Sequence, residues 1–165
     1  METVLKSESK PSIINGIITG QIAGLIMAVV VMLVFVIFYG KSPLYPVQVI
    51  GSMVYGEAAL PNFNLGAVVA GLILHQAGPS LLWGFLFGAF ASRVDIHSAS
   101  KALGYGIALG VISMVGPYFL IPTLMHAFHG VDIWNREVPL FWDWAAHLVF
   151  GASFALYPYV QRKLA

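Results

Sequence analysis

His75 and His147 are the side chains best placed to do chemistry inside the apolar stretches of this chain. Each imidazole sits in a long run of apolar residues, and an ionisable group at membrane depth marks a functional site by default, because it is costly to leave unpaired in hydrocarbon. Two histidines on two helices at similar depth are the minimal arrangement for bis-histidine ligation of a b-type haem. Gly78, Gly84 and Gly151 would allow a flat macrocycle to approach. The plainer reading, in which each imidazole hydrogen-bonds to a serine, a carbonyl or a water, is preferred. Pro79 favours it, because a proline four residues after His75 leaves the His75 carbonyl without its helical donor and creates a local polar pocket.

A second constellation lies further along. His126, His129 and Asp132 fall on one face if that stretch is helical, and Asp143, Glu57 and His147 are available to complete an oxygen and nitrogen site for copper, zinc or iron. No full ligand motif such as His-Glu-x-x-His supports it, so solvated side chains at a helix end are the ordinary expectation. His97 is expected to be solvated. The chain has no cysteine, which excludes disulfides, iron-sulfur clusters, thiolate zinc sites and c-type haem attachment. The default is no cofactor at all.

Enzyme motifs are otherwise missing. There is no intramembrane carboxylate pair and no glycine-rich phosphate loop, and Ser80, Ser113 and Ser153 show no recognisable histidine-carboxylate relay. A catalytic role is disfavoured.

The elements that must position these residues follow from composition. Hydrophobic residues make up 59% of the 165 and charged residues 9%, against about 25% charged in an ordinary soluble domain, so the expected solvent is lipid. The pattern predicts one all-α integral membrane domain with four transmembrane helices, at about 13–39, 62–92, 101–124 and 140–160, arranged as two hairpins. Gly40 to Pro43 stop the first, Gly78-Pro79 kinks the second, and Gly116-Pro117 and Pro122 disturb the third. The first apolar run is too long for a signal-peptide core and should stay as a membrane helix.

Positive charge divides as Lys6, Lys10, Arg93, Lys101, Arg162 and Lys163 against Lys41 and Arg136, which puts both termini and the link between helices 2 and 3 in the cytoplasm. Glu57, Asp132, Glu137 and Asp143 then face outside, with Trp134, Trp142 and Trp144 at the outer interface and Tyr157 and Tyr159 at the inner one. On that orientation His75 lies roughly 16 Å and His147 roughly 10 Å below their helix starts, at 1.5 Å per residue. In the first outer loop, 46–60 reads as a short interfacial helix lying flat on the outer surface, begun at Pro46 and stopped by Pro61.

Small-residue ridges run along the helices: Gly16, Gly20 and Gly24; Ala67 with Gly71; Gly84 with Gly88; Gly106 with Gly110; Gly151 with Ala155. Membrane helices associate through such close approaches. Most ridges should join the four helices to one another, and those at Gly16, Gly20 and Gly24 and at Gly84 and Gly88 are also expected to dock other integral membrane subunits. The repeated Gly-x-x-x-Gly followed by Met in helices 1 and 3, with a histidine followed closely by glycine in helices 2 and 4, suggests a parallel internal repeat.

With a formal net charge of +1 and no basic run, nucleic acid is not an expected partner. The leading functional reading is a small non-catalytic integral subunit of a larger membrane complex, in the first place a respiratory or photosynthetic electron-transfer assembly. The alternatives are a haem b or metal-binding membrane protein using His75 and His147 or the outer cluster, and a small transporter or channel. The arrangement generally resembles small four-helix bacterial membrane proteins, which implies a prokaryotic cytoplasmic membrane and carries over no functional residue.

Overall fold

The computed structural model describes residues 12–60 and 62–164. Lys6, Lys10 and Pro61, used above for orientation and for ending the short helix, lie outside the described residues. The described chain is all helical: α1 (Ile13–Tyr39), α2 (Tyr45–Tyr55), α3 (Leu65–His75), α4 (Leu81–Ala91), α5 (Ala99–Ser113), α6 (Ile121–His129), α7 (Ile133–Glu137), α8 (Leu140–Ser153) and α9 (Tyr157–Lys163). A π-helical turn at Gln76–Ser80 joins α3 to α4, and another at Gly116–Leu120 carries α5 on to α6. Three helices are thereby long and apolar enough to cross a membrane: Ile13–Tyr39, Leu65–Ala91 and Ala99–His129.

The fourth expected span is helical throughout but interrupted. A 3-10 turn at Phe154–Leu156 separates α8 from α9, and the 14 residues of α8 fall short of the roughly 20 that a single crossing requires. The third helix runs on past 124 to His129, because Pro122 sits in the first turn of α6, where its missing N–H costs nothing, and the left-handed Gly130 ends it.

Each π-turn follows from a proline. Pro79 cannot donate to His75, and Pro117 cannot donate to Ser113, so both helices widen by one residue instead of breaking. At the first of these turns the Ser80 hydroxyl lies 3.0 Å from the His75 carbonyl, supplying the donor that proline removed.

The ridges zip the helices pairwise. A Cβ on Gly16 would lie 2.4 Å from Gly88 Cα, one on Gly20 would lie 2.4 Å from the Ser80 carbonyl, and one on Gly24 would overlap the Ser80 hydroxyl. In the second hairpin a Cβ on Gly110 would meet the His147 carbonyl at 2.4 Å, and Gly106 and Gly151 abut in the same way. Gly16, Gly20, Gly24, Gly84 and Gly88, the ridges expected to dock another subunit, pack within this chain. Those surfaces are used up between α1 and the α3–α4 helix, as close van der Waals packing in lipid requires.

The short outer helix also differs from expectation. It forms, over Tyr45–Tyr55, but it packs lengthwise along α3 through Gly51 against Ala67 and Val47 against Gly71, burying Val47, Gln48, Val49 and Ser52. The two glycines decide this, since they let backbones approach where a flat interfacial helix would need none. Gln48 can be buried because its amide donates to the carbonyls of Ala59 at 2.7 Å and Asn62 at 3.0 Å.

Two apolar clusters hold the ends of the bundle. One gathers Ala23, Phe87, Ile96, Phe150, Phe154 and Tyr157, and the other gathers Val49, Met125, Ile133 and Trp134. Between them the packing opens.

Candidate functional site

A cavity of about 240 Å³ lies between α1, α2, α3 and α8, walled by Met27, Val31 and Phe35 on α1, Val47 and Ile50 on α2, Gly71 and Leu72 on α3, and Trp142, Ala146 and Val149 on α8. Its ionisable lining residues are His75 and Asp143, and the indoles of Trp134 and Trp142 complete the wall.

Asp143 is a buried residue of the bundle. It is 5% exposed and turned into the bundle, where Trp134 Nε1 donates to Oδ2 at 3.1 Å and His147 Nε2 lies 3.6 Å from Oδ1. Trp134 is likewise buried. A carboxylate is tolerated here because each oxygen has a partner. The spacing of Asp143 and His147, one helical turn apart on α8, already puts them on one face.

His147 continues the chain of contacts. Its Nδ1 lies 2.6 Å from the hydroxyl of Ser113, which is 2.7 Å from the Gly110 carbonyl. Ser113, His147 and Asp143 are thus brought together, against the expectation that no such relay exists. Their arrangement is not that of an activated nucleophile. The Gly110 carbonyl can only accept, so it takes the Ser113 proton, and His147 then donates from Nδ1 to the serine oxygen. Ser113 is also only 1% exposed and does not line the cavity.

His75 is held by a second polar set at the π-turn. Gln21 Nε2 donates to the Gln76 carbonyl at 2.9 Å, which fixes Gln21 Oε1 as the acceptor for Gln76 Nε2 at 3.1 Å. Gln76 Oε1 is then left facing His75 Nδ1 at 3.0 Å. That nitrogen must be the donor, and the neutral ring carries its lone pair on Nε2. Gln21 and Gln76 were missed in the sequence because uncharged amides do not interrupt an apolar run as a charge does, although burying one unpaired is also expensive.

The haem reading of His75 and His147 does not fit this geometry. His147 has Ser113 at one nitrogen and Asp143 near the other, and it stands outside the cavity lining. A void of about 240 Å³ is also below the roughly 300–1,000 Å³ typical of sites for ligands smaller than a macrocycle. The outer set is dispersed too. His129 Nε2 lies 3.0 Å from the Met53 carbonyl, Asp132 caps α7 through Asn135, and His126 is exposed. Among the described residues no group of three or more histidine, aspartate or glutamate side chains is placed to hold a metal ion.

A separate polar network ties α2 and the turn after it to α7. Tyr45 donates to Glu137 at 2.6 Å, Arg136 Nε donates to Glu137 at 2.8 Å, and the Arg136 guanidinium grips Glu57 with both terminal nitrogens, at 2.6 and 3.0 Å. Burial, together with the bond to Glu137, pushes the Tyr45 phenol from 10.0 up to about 12. The Arg136 bonds hold Glu57 below its ordinary value. For Glu137 burial acts upward, but the bonds from Tyr45 and Arg136 outweigh it and the net shift is downward. The network closes the α1–α2 and α6–α8 connections over the cavity end of the bundle.

Compared with protein-family models, curated proteins and solved structures, the chain matches none of them.

Proposed function

We propose that this chain is a four-span integral membrane protein, with both termini in the cytoplasm, that holds a small lipophilic molecule between its two hairpins. One observation carries the reading: the apolar cavity of about 240 Å³ whose ionisable walls are His75 and Asp143. An engineered apolar void of about 150 Å³ already takes up benzene, so this volume suits a single substituted ring, its remainder passing between helices into lipid. Ionisable groups beside such a space are costly unless something uses them. The test is gentle extraction of the protein from its native membrane, followed by mass spectrometry of bound small molecules. A stoichiometric lipophilic compound, lost on replacing Ala146 by Trp to fill the cavity, is expected; protein that comes through empty and does not take up any apolar probe removes the reading.

A second reading, a non-catalytic subunit of a larger membrane assembly such as an electron-transfer complex, is favoured by the bulky rings Phe119, Phe128 and Phe141 at 68%, 71% and 71% exposure. With the glycine ridges engaged internally, these rings are the surfaces left for a partner. Crosslinking from Phe128 in native membranes that returns only lipid and this chain would eliminate it.

A further inference from the structure

We infer that the molecule the cavity takes is a lipid-soluble aromatic alcohol, a phenol or hydroquinone, bound through its hydroxyl hydrogen to His75 Nε2. The inference rests on the cavity being a ligand site and adds the chemistry of the ligand.

The two ionisable walls of the cavity, His75 and Asp143, present acceptors. The interlocked amides of Gln21 and Gln76 leave His75 donating from Nδ1, so Nε2 presents a lone pair, and no described residue hydrogen-bonds to it. Asp143 takes a hydrogen bond from Trp134 on Oδ2. Its Oδ1 faces His147 Nε2, and a bare lone pair opposite a bare carboxylate would repel, so one proton occupies that gap whichever atom carries it. In either case Asp143 has no hydrogen to offer the cavity. A ligand with only acceptors, such as an ether or a quinone, would leave His75 Nε2 buried and unpaired, whereas a hydroxyl satisfies it.

The rest of the wall selects the body of the ligand. Val31, Val34, Val47 and Ile50 give a dry aliphatic surface, and the indoles of Trp134 and Trp142 offer flat faces to a ring. An ammonium would also donate, but it would have to shed its hydration into a space with little polar wall, and the Asp143 charge that would compensate is already engaged by Trp134 and His147. A neutral hydroxyl avoids that penalty.

The experiment uses the full chain in lipid nanodiscs and follows quenching of tryptophan fluorescence by three probes of one ring and one alkyl tail: an alkylhydroquinone, its dimethyl ether and the matching benzoquinone. The expected result is hydroquinone binding at least about tenfold tighter than either the ether or the quinone, a difference of about 1.4 kcal/mol. His75→Phe should remove that preference while leaving the ether's affinity within about twofold, and Gln76→Leu, which frees the tautomer, should weaken the preference without filling the site. Equal binding of the three probes by the unaltered protein would overturn the aromatic-alcohol assignment while leaving the ligand site standing. If none of the three binds, and a tail-free apolar ring does not either, the ligand site itself is lost.

Discussion

Ser113 and His147 are 34 residues apart in the chain and 2.6 Å apart in space, hydroxyl oxygen to Nδ1. The contact joins the third helix to the fourth at the level where a proline opens the third, and it turns His147 so that Nε2 meets Asp143 at 3.6 Å. The Trp134, Asp143, His147 and Ser113 chain is therefore one unit, and disturbing any member exposes the others.

That unit predicts non-additive stability. Removing one member of a buried polar set leaves its partner unsatisfied, at a cost of about 1–3 kcal/mol. Asp143→Ala and His147→Leu should each destabilise the purified protein by about that amount in thermal unfolding. The double variant should cost clearly less than the sum. Additive losses would mean that the two side chains do not act on each other.

Glycine substitutions should divide sharply by location. Gly20→Val drives a side chain into the Ser80 carbonyl and the Gly84 backbone, at 2.4 and 2.6 Å for the first added carbon alone. Backbone cannot step aside, so a loss of at least about 3 kcal/mol is expected. Gly104, on the same bundle, has nothing within 4 Å, and Gly104→Ala should gain about 0.5–1 kcal/mol from helix propensity. Equal effects at the two positions, read from unfolding in detergent, would contradict the α1–α4 packing.

The outer network makes a pH prediction with a definite window. Glu57 and Glu137 are held below their ordinary 4.5 in the folded protein, so their contribution is present above that value and is lost as pH falls through their lowered folded values. Tyr45 runs the other way. Its phenol is raised from 10.0 to about 12, so its contribution holds below 10.0 and is lost as pH climbs toward 12. The Tyr45, Glu57, Arg136 and Glu137 network should thus be firmest between these limits. Glu137→Gln should bring the Tyr45 titration back toward 10.0, measured by phenolate absorbance, and an unmoved titration would deny the Tyr45 to Glu137 bond its role.

Orientation can be tested without background. The chain has no cysteine, so Asn62→Cys and Ser100→Cys, both at exposed positions, each give a single thiol. Asn62→Cys should react with a membrane-impermeant maleimide from outside intact cells, and Ser100→Cys only after permeabilisation. Reaction of both from outside would refute the four-span topology.

Much of the architecture was legible from residue order. Apolar runs broken at Gly40 and at Arg93 to Asp95 fix helix positions, since an unbroken run has no local alternative to a helix in lipid, whereas the third helix, expected to end near 124, runs on to Gly130. Pro79 and Pro117 announce that the helices are disturbed there, because a missing N–H is a property of the residue itself, though not that each turn widens instead of kinking. The small-residue ridges likewise say that helices approach closely, though they cannot say which helix each ridge meets.

What only the tertiary structure decided is pairing across distance. Asp143 falls near the start of the fourth predicted helix, and only the approach of Trp134 and His147 shows that it is partnered inside the bundle. Ser113 gained a partner 34 residues away, and His75 acquired a defined tautomer from a glutamine 55 residues before Gln76. Helix formation depends on local backbone chemistry that the sequence states outright, whereas the partners of a buried polar group depend on which faces the ridges bring together. The order of residues by itself determined an all-helical chain with long apolar spans and polar groups inside them; the fold alone determined that those groups meet around a cavity.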